Sequence, residues 1–143
     1  MTPLEAWCVR VANLLVISTG LVYAWMRYLL RPSDPFAVVN HPWQPAVQHL
    51  HVLVAPLLVF AIGLVWKRHV AMSLRLEVRE RHRSGLALAL SFAPMAASGY
   101  LLQVATGDAW RRVWVVVHLA TSALWLGGFL IHQLGRRRRA WLS

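Results

Sequence analysis

The sequence predicts an all-α membrane protein, folded as an up-and-down bundle of four transmembrane helices. Of the 143 residues, 58% are hydrophobic and only 14% are charged, whereas about a quarter of the residues in an average soluble domain are charged. The mean hydropathy is +0.50. The apolar residues also fall into four separate runs, each close to the roughly 20 residues that a helix needs to cross a bilayer. We therefore expect residues 1–143 to form a single transmembrane domain.

The four runs predict spans at about residues 7–30, 46–68, 84–104 and 113–134. The first run is too long for a signal peptide and lacks a small-residue cleavage site, so we expect it to be retained as a helix. The second and third runs contain Pro56 and Pro94. A membrane helix tolerates such prolines because neighbouring helices satisfy the carbonyl groups that proline leaves without a donor.

The distribution of basic residues predicts that both termini lie in the cytoplasm. Eleven of the fifteen Lys and Arg residues are at one end of the bundle, in segments 67–83 and 136–139 and at Arg10. The remaining four lie at the other end: Arg27, Arg31, Arg111 and Arg112. Cytoplasmic loops carry the excess of positive charge, which gives the orientation. Seven of the eight tryptophans lie near predicted span ends, where aromatic residues meet the membrane interface.

The composition also excludes several classes of function. The net charge of +10 is expected to orient the spans and contact anionic lipid, and no nucleic acid is expected as a partner. Cys8 is the only cysteine, so the chain has no internal disulfide and no C-x-x-C-H motif for covalent attachment of haem. We find no nucleophile–base pair, no paired carboxylates and no nucleotide-binding loop, and we therefore expect no independent catalysis.

Six of the seven histidines are predicted to lie at two depths in the membrane, and His41 lies in the outer loop. The outer level contains His49, His51 and His118, each about one turn inside the outer end of its span. The inner, cytoplasmic level contains His69, His82 and His132. The second and fourth spans therefore both offer histidine at an outer and an inner level.

The helical period places histidines of the two levels on one face. His118 and His132 are fourteen residues apart, which returns to within about 40° of the same face and spans about 21 Å of axis. His51 and His69 are eighteen residues apart, or about five turns, so they share a face if the helix continues that far. We expect His51 with His118, and His69 with His132, to be the axial ligands of two haem irons.

Imidazole suits this role because two neutral histidines fill both axial positions of haem iron, and such a site transfers electrons without activating a substrate. The porphyrin also needs flat space between helices, which small residues beside the histidines are expected to provide. These residues are Gly63, Gly85, Gly99, Gly127 and Gly128.

Other interpretations of the histidines stay open at the level of sequence. His49 is the alternative ligand to His51, and His82 is the alternative to His69. A single haem at the outer level is the alternative to two. Histidines within a membrane also serve as hydrogen-bonding groups between helices. The pair His49 and His51 is a candidate copper or zinc site, although no carboxylate or thiolate lies nearby to complete it.

Three segments resemble the small bacterial cytochrome b membrane subunits with four helices: "QHLHVLVAPLLVFAIGLVWKRH", "RHRSGLALALSFAPMAASGYLL" and "VHLATSALWLGGFLIHQ". Those subunits serve formate dehydrogenases, nickel–iron hydrogenases and related complexes. The resemblance covers most of the chain past Gln44. It implies non-covalent haem b with two histidine ligands for each iron, and electron transfer between an outer redox partner and the quinone pool.

We therefore expect a diheme electron-transfer subunit of an oxidoreductase complex in the bacterial inner (cytoplasmic) membrane. Its expected partners are a periplasmic cytochrome c or catalytic redox subunit, quinone and the lipid bilayer. The alternative is a haem-free membrane anchor or assembly subunit of a larger complex.

The orientation is testable by labelling. In a Cys8→Ser background, a cysteine introduced at Gly107 should react with a membrane-impermeant maleimide in intact cells, because the segment between the third and fourth spans is expected to face outward. A cysteine introduced at Ser143 is the control and should react only after the cells are permeabilised. The reverse pattern would contradict the predicted orientation.

Overall fold

The computed structural model describes residues 2–32, 34, 36–72 and 82–140, and all regular structure within them is helical. Helix α1 is Pro3–Ala24 and continues as a first π segment, Trp25–Leu29. Helix α2 is Gln44–Val65 and continues as a second π segment, Trp66–Ala71. Helix α3 is His82–Val104 and helix α4 is Asp108–Ala140. The prediction of an all-α chain with four spans is confirmed.

The chain divides into two compact units, Met1–Lys67 and Arg68–Ser143. In the first unit, α1 packs against α2, and we call this pair the first hairpin. In the second unit, α3 packs against α4, and we call this pair the second hairpin. The boundary between the units falls within the second π segment, where the α-helical hydrogen-bond pattern has already ended.

Helix α1 begins earlier than predicted because a capping box forms at its N-terminus. The Thr2 backbone N–H donates to the Glu5 carboxylate at 2.6 Å, and the Glu5 N–H donates to the Thr2 hydroxyl at 3.2 Å. Pro3 follows at the first helical position, where its missing N–H costs no hydrogen bond. Helix α4 likewise begins at Asp108, whose negative charge suits the positive end of the helix dipole.

Each helix buries one stripe of residues, as the helical period requires. In α2 the buried residues recur at three- and four-residue steps: Val54, Leu58, Ala61, Ile62 and Val65. In α3 the buried stripe consists of Ser91, Met95 and Ser98. In α4 the buried Trp125 lies midway between the half-buried His118 and His132, and these two residues belong to one continuous helix.

The other faces of the helices are apolar and exposed, which indicates that they face lipid. In an 18-residue stretch of each candidate span, between 11% and 22% of the residues are buried. Large apolar side chains such as Leu53 and Val116 are 73% and 67% exposed. Soluble proteins do not expose apolar surface on this scale. The four helices are long and apolar enough to cross a bilayer, and the chain is a multi-pass membrane protein.

The loop between α1 and α2 is tied to the helix ends by polar contacts. The Asn40 side-chain amide donates to the Arg27 carbonyl oxygen at 2.8 Å, which satisfies a carbonyl in the first π segment. The Trp43 N–H donates to Nδ1 of His41 at 3.1 Å, and the Gln44 N–H donates to the His41 carbonyl oxygen at 3.0 Å. His41 is therefore a loop residue that helps to start α2, as the sequence predicts.

Candidate functional site

His51 of α2 lies against the backbone of α1. Its Nδ1 atom is 3.0 Å from the Thr19 hydroxyl oxygen. The neighbouring Gly20 leaves room for the ring, since a Cβ atom at that position would lie 2.9 Å from the His51 Cε1 atom. Real Cβ atoms essentially never approach another atom that closely, so only glycine permits this contact. We call Thr19, Gly20 and His51 the first niche.

His118 of α4 lies against the backbone of α3 in the same manner. Its Nδ1 atom is 3.2 Å from the hydroxyl oxygen of Ser98, which is fully buried, and 3.1 Å from the Met95 carbonyl oxygen. A Cβ atom at Gly99 would lie 3.2 Å from the His118 Cε1 atom. We call Ser98, Gly99 and His118 the second niche.

The two niches are built on one plan. In each hairpin, a hydroxyl residue followed directly by glycine lies in the last two turns of the first helix. The histidine comes from the second helix, and its Nδ1 atom faces the hydroxyl. In each, that hydroxyl also donates to a carbonyl of its own helix, Thr19 to Leu15 at 2.7 Å and Ser98 to Met95 at 3.0 Å. The same chemistry therefore holds an imidazole in both halves of the chain.

The remaining predicted ligands differ in how they are placed. His132 lies in the continuous helix α4 and is half-buried. His49 is exposed, whereas His51 is half-buried and lies in the first niche. His51 is therefore the better-enclosed member of the pair. His69 lies in the second π segment and His82 begins α3, but the side chains of both lie outside the described part of the chain.

The second π segment weakens the argument that predicts His69 as a ligand. The α-helical period that brings His51 and His69 to one face holds only as far as Val65. From Trp66 onward the hydrogen bonds span five residues instead of four, so each residue turns through a smaller angle. The partner of His132 therefore stays a prediction. The pairing of His51 with His118 also stays a prediction, since these residues belong to different units.

Each niche holds one imidazole, a group that haem iron accepts as an axial ligand. Histidines that bind a metal through one ring nitrogen almost always place the other against a fixed hydrogen-bond partner, which sets the orientation of the ring. Both niches supply such a partner at Nδ1. Among the described residues, the niches included, no three His, Cys, Asp or Glu side chains lie together as ligands for a metal ion.

Sequence reasoning found both histidines but missed the groups that hold them. Gly99 was expected to leave room for a porphyrin, and it borders the His118 ring. The sequence does not single out Thr19, Gly20 and Ser98, because the two predicted spans that contain them, 7–30 and 84–104, have no histidine. The available signal was the repeated pair of a hydroxyl residue and glycine, at Thr19–Gly20 and Ser98–Gly99.

The close approach at each glycine predicts the effect of adding one methyl group. Gly20→Ala should displace the His51 ring, and Gly99→Ala should displace the His118 ring by a smaller amount, because its contact is longer. Gly63→Ala and Gly127→Ala are matched controls in the same two hairpins, since nothing lies within 4 Å of a Cβ atom there. The measurement is the imidazole resonances of protein labelled with nitrogen-15 in detergent micelles. Equal responses to Gly20→Ala and Gly63→Ala would show that the niche is not tightly packed.

The chain matches no protein-family model, no curated protein and no solved structure.

Proposed function

We propose that this chain is a membrane-embedded b-type cytochrome subunit, which carries electrons between a periplasmic redox partner and the quinone pool. The single observation that carries the proposal is the duplicated niche. Two half-buried imidazoles within apolar spans are each fixed through Nδ1 by a hydroxyl, which is the arrangement that ligands of a metal centre need. The proposed ligands are His51 and His118 at the outer level, and His69 and His132 at the inner level.

The spans supply the surroundings that such a centre requires. When bound, haem iron would accept and release one electron between its ferric and ferrous states, with both axial positions filled by histidine. The apolar faces of the helices keep water away from the imidazoles, and the hydroxyls satisfy the ring nitrogens that would otherwise face hydrocarbon. A polar group that is costly to keep in lipid is a candidate functional group by default.

The location that we propose limits the partners that the chain can have. We place the chain in the bacterial inner membrane, with a periplasmic cytochrome c or a catalytic redox subunit on one side and quinone within the bilayer. The described residues form little structure outside the four spans, so the reacting substrate is expected to belong to a partner.

The alternative function is that of a haem-free membrane anchor or assembly subunit. The observation that favours it is that both histidines already take part in hydrogen bonds between helices. Such bonds contribute about 0.6 kcal/mol on average in membrane proteins, which is a sufficient reason for a histidine to be present without a cofactor.

An absorption spectrum distinguishes the two functions. The full-length protein, expressed with haem supplied and purified in detergent, should show b-type bands in its reduced-minus-oxidised spectrum. The pyridine adduct should give two haems for each chain, or one if only the outer pair of histidines is occupied. The absence of haem would end the cytochrome proposal and leave the membrane-anchor function.

Histidine variants assign the ligands. His118→Ala and His51→Ala should each remove the outer haem and leave the inner one, so the ratio of haem to protein falls from two to one. His132→Ala should remove the inner haem instead. His41→Ala is the control and should leave the ratio unchanged, whereas His49→Ala tests the alternative ligand and should lower the ratio only if His49 replaces His51. Retention of both haems in His118→Ala would show that the proposed pairing is wrong.

A further inference from the structure

The ligand role proposed for His51 and His118 does not by itself explain the contacts of the Thr19 and Ser98 hydroxyls. Each hydroxyl lies within hydrogen-bond distance both of a carbonyl in its own helix and of a histidine Nδ1 atom in the neighbouring helix. A hydroxyl has one proton to donate and can also accept. The direction of each bond therefore decides which ring nitrogen of the histidine carries the proton.

In the first niche the distances favour one direction. The Thr19 hydroxyl donates to the Leu15 carbonyl oxygen at 2.7 Å, which is short for such a bond. Its proton is therefore engaged within α1, and the oxygen accepts from His51. The bond at 3.0 Å is then Nδ1–H donating to Oγ1, so the Nδ1 atom of His51 carries the proton of the neutral ring.

In the second niche a carbonyl group gives the same result independently. The Met95 carbonyl oxygen can only accept, and it lies 3.1 Å from the Nδ1 atom of His118. That contact is a hydrogen bond only if Nδ1 carries the proton. The Ser98 hydroxyl donates to the same carbonyl at 3.0 Å, so its oxygen is also available to accept from Nδ1. Both niches hold the same tautomer.

From this duplicated geometry we infer that Thr19 and Ser98 are positioning residues, which hold His51 and His118 with the proton on Nδ1 and thereby assign Nε2 as the nitrogen that binds iron. This inference rests on the proposed function and extends it to the potential of the outer haem. A group that accepts a hydrogen bond from the ligand imidazole makes it a stronger donor to iron. A stronger donor favours the ferric state, so these hydroxyls lower the midpoint potential.

The test measures the midpoint potential of the outer haem in the full-length protein. Thr19→Val keeps the shape of the side chain and removes the hydroxyl, and it should shift the potential to a more positive value. Ser98→Ala should shift it in the same direction. Thr19→Ser and Ser98→Thr keep a hydroxyl and should keep the potential of the unmodified protein.

Matched controls separate the effect of losing the hydrogen bond to histidine from the effect of altered packing. Thr121→Val and Ser91→Ala also remove hydroxyls that donate to a carbonyl of their own helix, at 2.7 Å in each case. Both hydroxyls donate to backbone carbonyls of their own helices, so both variants should leave the potential unchanged. A shift in the controls as large as in Thr19→Val would overturn the inference.

A second measurement does not depend on haem. In the haem-free full-length protein labelled with nitrogen-15, His51 and His118 should show a protonated Nδ1, and Thr19→Val should weaken this preference at His51 alone. If the protein binds haem but neither the potential nor the tautomer responds to Thr19→Val and Ser98→Ala, the positioning role is wrong and the cytochrome function stands. If the unmodified protein binds no haem, the proposed function fails and the role in setting its potential fails with it.

Discussion

The rest of the structure depends on the need to satisfy a polar ring inside an apolar span. Hydrocarbon provides no hydrogen-bond partners, so a buried imidazole must find them within the protein. Here the partner is a hydroxyl one helix away, at 3.0 Å in the first niche and 3.2 Å in the second. Because the bond is short, the two helices must approach closely at that point. A glycine beside the hydroxyl makes this approach possible, as small residues do between membrane helices.

This constraint explains why both hairpins share one plan although their sequences differ. The first hairpin joins Thr19 and Gly20 to a histidine on α2, and the second joins Ser98 and Gly99 to a histidine on α4. Hydroxyl and glycine come from one helix and imidazole from the other, so neither helix can form the niche alone. The niche therefore also specifies which helices pair and at what height along their axes.

The same arrangement connects structure to the proposed electron transfer. A ligand that rotates freely would bind iron poorly and with a variable potential, whereas a ring fixed through Nδ1 presents one nitrogen in one direction. The hydroxyl that stabilises the helix pair would then also tune the cofactor. Packing of Phe92 against Trp125, with ring centroids 5.4 Å apart, further fixes α3 against α4 between the levels of His118 and His132.

The sequence alone determined the four spans and the common face of His118 and His132, because apolar run length and the 3.6-residue period are local properties. It placed His41 in a loop for the same reason. It also favoured His51 over His49, although only by assuming an α-helix as far as His69, and the second π segment ends that regularity at Val65. Only the tertiary structure decided that Thr19, Gly20, Ser98 and the Met95 carbonyl hold the histidines. Such contacts join residues 20 to 32 positions apart, and no local pattern specifies which helices meet or which atoms then face each other.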